Sequence, residues 1–114
     1  MLSLLKKPAP TPASPVEKIA EAKDLFLSGK FPVVTTEAIP TKDIRLVIGL
    51  VAFRGYDMEQ AFYGMVSRAI SHGAHAVIGY KENVAFHPDG SRYVSCYGTA
   101  VRIHDRPKEQ PQIQ

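Results

Sequence analysis

The chain has 114 residues, among them nine prolines, a single cysteine and a formal net charge of +3. That length holds one compact domain of about 75 to 85 residues once a proline-rich beginning is set aside, and so small a core gains from oligomerisation. The lone Cys96 excludes an internal disulfide and suits a reducing cytoplasm, no stretch reaches the roughly 20 apolar residues that span a bilayer, and the scattered basic residues form no stripe for nucleic acid.

Residues 1–15 carry Pro8, Pro10, Pro12 and Pro15 among small residues, the composition of a flexible arm. Residues 16–30 then read as an N-terminal amphipathic helix: Ser14 is placed to cap it, Gly29 to stop it, and Ile19, Ala22, Leu25 or Phe26, and Leu27 form its apolar stripe. Such a face packs on its own domain or binds a partner protein.

The main domain is expected over residues 31–104. A short edge strand over residues 31–37 is followed by a nearly continuous apolar run, Leu46, Val47, Ile48, Leu50, Val51 and Phe53, the pattern of a strand covered on both faces. Asp57 with Gln60 is a capping-box variant that opens a helix over residues 58–72, and Gly73 closes it. Its stripe of Met58, Ala61, Phe62, Met65, Val66, Ala69 and Ile70 faces the core, interrupted by Gly64.

Residues 74–86 return to strand character, and His87-Pro88-Asp89-Gly90 is a turn leading into a last strand over residues 92–104. On that strand Tyr93, Ser95, Tyr97, Thr99, Val101 and Ile103 point one way and Val94, Cys96, Gly98 and Ala100 the other. Gly49, Gly79 and Gly98 each interrupt a strand-like run, which predicts that a neighbouring element or subunit comes close there. Residues 105–114 have the composition of a disordered tail. The fold class expected is α+β: a small two-layer domain with a mainly antiparallel sheet of three to four strands, one packed helix and an additional N-terminal helix.

Four segments stand in order: Thr35-Thr36-Glu37-Ala38-Ile39-Pro40, Lys42-Asp43-Ile44 leading into Gly49, Gly73-Ala74-His75-Ala76-Val77-Ile78-Gly79, and Tyr97-Gly98-Thr99-Ala100-Val101. Over residues 33–103 this arrangement resembles the YbjQ-type family, small bacterial and archaeal proteins that carry a heavy-metal-binding label without an established activity. The resemblance implies a YbjQ/dodecin-like α/β domain assembled as a ring such as a pentamer, and it defines no ligand set. The long helical insert usual in the family is shortened here, since only Gly55 and Tyr56 separate Arg54 from Asp57.

His72, His75 and Cys96 are the candidate ligands for a divalent metal ion. His72 and His75 are three apart, yet Gly73 ends the helix between them; Cys96 is the one soft ligand, in a mid-strand setting where a cysteine also serves as a small hydrophobe. In a ring, symmetry would gather copies of Cys96 or His104. His87 and Asp89 share the turn; Tyr80, Tyr93 and Tyr97 make a candidate aromatic surface; and Arg54, Arg92 and Arg102 stand at strand ends, where an anion or solvent would meet them. No acid/base pair, phosphate loop or triad spacing is present, so a non-enzyme is expected. The sequence thus points to a cytoplasmic homo-oligomer binding a metal ion or small ligand at subunit interfaces; the second reading is an assembly or adaptor module that holds a protein partner through its N-terminal helix.

Overall fold

A computed structural model describes residues 15–107. Residues 1–14, with the expected cap Ser14 and most of the proline-rich arm, and residues 108–114 of the expected tail lie outside the described residues. The elements are α1 (Pro15–Leu27), β1 (Lys42–Gly55), α2 (Met58–Ser71), β2 (Ala76–Phe86) and β3 (Arg92–Asp105). The strands form one antiparallel sheet in the order β1-β3-β2, with α2 packed on one face.

The termini of α2 follow from its sequence. Asp57 accepts the backbone N–H of Gln60 at 2.8 Å, and the Gln60 side chain accepts that of Tyr56 at 2.9 Å, one residue earlier than a standard capping box. At the other end Gly73 has φ of +82°, which frees Gly73 N–H to reach Ile70 O and Ala74 N–H to reach Ala69 O, a Schellman closure. Ala61, Gly64, Met65, Val66 and Ala69 are buried and form a core with Val51, Val77, Val94, Cys96 and Ala100.

Helix α1 spends its apolar face on its own domain. Ala22 is fully buried, Leu25 joins the same core, and Phe26 meets the edges of Phe62 and Tyr63. Leu27, expected in the stripe, is instead exposed. The expected edge strand over residues 31–37 reduces to one parallel bridge, Val33 to Val77. The segment lies along β2 through Val34 N–H to Val77 O and Tyr80 N–H to Val34 O, then passes to the other sheet face, where Val34 and Ile39 cover Ala76, Ile78 and Val101.

Within the described residues of one chain that cover is partial: β1 is enclosed on its α2 face and open on the other. Ile48, Val51 and Phe53 pack toward α2, whereas Val47 and Leu50 remain 58% and 79% exposed. They pair with Val101 and Thr99, so they lie on the face opposite the helix. Strand β1 also contains two register shifts, at Arg45 and Ile48, the second next to Gly49 with φ of +137°.

Of the three strand glycines, Gly98 is the close approach: a Cβ there would sit 2.5 Å from Val77 Cγ1 and 3.0 Å from Ile78 O, where β2 carries extra residues opposite β3. Its neighbour is the chain's own β2. Gly49 and Gly79 have open space and are needed for positive φ instead.

Gly64 is a close approach as well, since an added Cβ would lie 2.3 Å from the Phe53 ring. Gly64→Ala gains about 1 kcal/mol of helix propensity but overpacks this contact at a cost of about 1–3 kcal/mol. Urea unfolding at fixed protein concentration is expected to show net destabilisation, with a favourable coupling when Phe53→Leu is added; a Gly64→Ala variant as stable as the original contradicts the contact.

Candidate functional site

The three candidate ligands occupy different environments. His72 is the C-cap of α2 and is exposed. His75 precedes β2; its backbone N–H donates to Val101 O at 2.8 Å, and its ring Nδ1 lies 3.1 Å from both the N and the O of Ile103. The ring thereby continues the β2–β3 ladder past Ala76. In one tautomer Nδ1 accepts from Ile103 N–H; in the other Nδ1–H donates to Ile103 O and leaves the Nε2 lone pair open to a metal ion.

Cys96 is fully buried under α2. Tyr80 Oη lies 3.1 Å from its sulfur and 2.8 Å from a Glu82 carboxylate oxygen. The single Tyr80 hydroxyl proton thus serves two acceptors, the Glu82 carboxylate and the Cys96 sulfur. Burial pushes the Cys96 thiol above its ordinary pKa against a smaller lowering by Tyr80, and burial first, then the hydrogen bonds, pushes Tyr80 up as well. Tyr80 packs on Phe62, on the α2 side of the sheet, away from the surface expected to carry Tyr93 and Tyr97.

Cys96 and His75 do not meet within one chain. Ala76 pairs with Val101, and Cys96 lies five residues further along β3, a separation of about 17 Å at about 3.3 Å per residue. His75 instead shares an open cavity of about 620 Å³ with His104, Lys30, Lys42, Asp105 and Ile103. Lys42 pairs with Asp105 and, through that hydrogen bond, holds its carboxyl below the usual range; Arg106 donates to Asp43 at 3.0 Å, with His104 Nε2 at 3.9 Å from the same carboxylate. Among the described residues no three His, Cys, Asp or Glu side chains gather in metal-holding geometry.

The company of His75 and His104 had a readable signal. Lys42-Asp43 faces His104-Asp105 across β1 and β3, and these complementary charges mark the antiparallel register. The turn residues are otherwise occupied: Asp89 accepts both the backbone N–H and the hydroxyl of Ser91, which lower its pKa, and the His87 ring lies 4.5 Å from that of Tyr93.

Residues 56–104 match the model of the YbjQ family, described as "Putative heavy-metal-binding". This part of the chain is similar to the YbjQ family. The YbjQ-like segment holds α2, β2 and β3, and with them His72, His75, Cys96 and His104. Among solved structures, a protein of unknown function of the DUF74 family from Pediococcus pentosaceus is similar at 17% identity and a TM-score of 0.42, over 63% of this chain and 96% of its own. No curated protein matches. No helix among the described residues is long and apolar enough to cross a membrane.

Because the Cys96 thiol is buried and its folded pKa is raised, little thiolate exists near neutral pH. Iodoacetamide is expected to label the native protein at least about 100-fold more slowly than the urea-unfolded chain. A raised acid pKa stabilises the fold below the unfolded thiol value of about 8.5 and loses that contribution as pH rises. Above that value, stability should therefore fall faster in the wild type than in Cys96→Ala. Equal labelling of native and unfolded chains contradicts the burial.

Proposed function

We propose that this chain is a non-catalytic, cytoplasmic metal-binding module that works as a homo-oligomer, with His75 as its principal ligand. The observation that carries the reading is the His75 ring, oriented by the Ile103 backbone through Nδ1 and set in a cavity that His104 also lines. Metal-ligating histidines are commonly oriented in this way, with one nitrogen on a carbonyl and the other on the ion. The heavy-metal label of the matched family supports the same chemistry.

A tetrahedral site takes four ligands, and one chain offers His75 and His104 here, with His72 nearby in sequence. Ligands from a second copy would complete it. The exposed Ile44, Val47 and Leu50 on the face opposite α2 support self-association, and the YbjQ likeness favours a ring such as a pentamer. The adaptor reading has less support, because α1 commits Ala22, Leu25 and Phe26 to its own domain. Cys96, protonated and buried, is assigned a packing role.

Native mass spectrometry of protein purified without metal-affinity steps, then given Zn²⁺ or Cd²⁺, tests both parts. An oligomer with stoichiometric metal is expected; His75→Ala should reduce uptake at least about tenfold, Cys96→Ala should leave it intact, and Leu50→Glu should release monomers. Absence of uptake overturns the metal assignment, and a monomeric wild type overturns the assembly.

A further inference from the structure

At the opposite end of the sheet from His75, a second cavity of about 250 Å³ lies between the end of β1, the start of α2 and the β2–β3 turn. We infer that it binds a small aromatic carboxylate. Its walls include Phe53, Arg54, Tyr56, Gln60, His87 and Tyr93. None of the metal candidates lines it, so it stands independently of the function proposed above.

Arg54 decides the charge of the ligand. Its guanidinium carbon lies over the Tyr93 ring, 5.3 Å from the centroid, and a guanidinium held by an aromatic ring can still grip a carboxylate through two parallel N–H bonds. No carboxylate among the described residues pairs with Arg54. The acid of the turn, Asp89, is held by Ser91, and Asp57 caps α2 through Gln60 N–H. His87, against the same Tyr93 ring, adds a second donor.

The aromatic rings decide its shape. Tyr93 supplies an aromatic wall, and Tyr56, 82% exposed at the mouth, is free to stack on a bound ring. A quaternary ammonium, the other ligand that aromatic walls attract, is disfavoured by Arg54. The volume is below the roughly 300 Å³ at which ligand pockets usually begin, which limits the guest to one or two rings.

Benzoate titrated into the full chain by isothermal calorimetry tests the assignment, with benzamide as the neutral isostere and acetate as the anion without a ring. Benzoate is expected to bind at least about tenfold more tightly than either. Arg54→Gln should bring benzoate down to the level of benzamide, Tyr93→Leu should weaken it, and Lys81→Gln, an exposed charge outside the cavity, should not. Binding should persist in protein stripped of metal with a chelator. Equal affinity for benzoate and benzamide, unchanged affinity in Arg54→Gln, or no binding of benzoate at millimolar concentration overturns the proposal.

Discussion

One helix can cover only one face of a sheet, and this constraint organises the molecule. Helix α2 sits on the face that carries Val51, Val94, Cys96 and Ala100, brought close by Gly64 against Phe53. Among the described residues the other face receives Val34 and Ile39 from the segment before β1, which pack with Ala76, Ile78, Val101 and Ile103. Leu50 and Val47 lie beyond that cover. Each large apolar side chain left in water forgoes about 1.5–3 kcal/mol of burial, so this face is where association yields the most.

The elements that local chemistry specifies were legible in the sequence. Asp57, Gln60 and Gly73 fix α2 through hydrogen bonds within a few residues, and β3 alternates as a central strand must. What the sequence left hidden depends on register. Apolar content in the run from Leu46 to Phe53 does not reveal that β1 lies at the edge of the chain's own sheet with two bulges. Tyr80 changes faces relative to a simple alternation because β2 has extra residues opposite Gly98, and this shift takes it to Cys96 and away from Tyr93. The separation of Cys96 from His75 is likewise a matter of pairing. Lys42-Asp43 against His104-Asp105 was the clue to that register, visible as complementary charge at two distant points of the chain.

Burial also sorts the candidate ligands by the proton each must lose. Metal binding at Cys96 requires a thiolate in a setting that favours the neutral thiol, together with an opening through α2 or the sheet. His75 needs no such opening, because it is exposed, and a backbone carbonyl stands ready to hold its Nδ1–H. The softer ligand by identity is thus the poorer one by environment.

The two ends of the sheet differ in how their cations are compensated. Near His75, Lys42 and Arg106 are matched by Asp105 and Asp43, and these exposed pairs hold the ends of β1 and β3 in register while contributing little stability each. Near the β2–β3 turn, Arg54 has an aromatic ring in place of an acid, while the turn's own carboxylate is tied to Ser91. A guanidinium stacked on Tyr93 keeps its hydrogen-bonding edge, whereas one paired with a carboxylate has spent it. The same residue type therefore closes the sheet at one end and leaves an unspent anion-binding edge at the other.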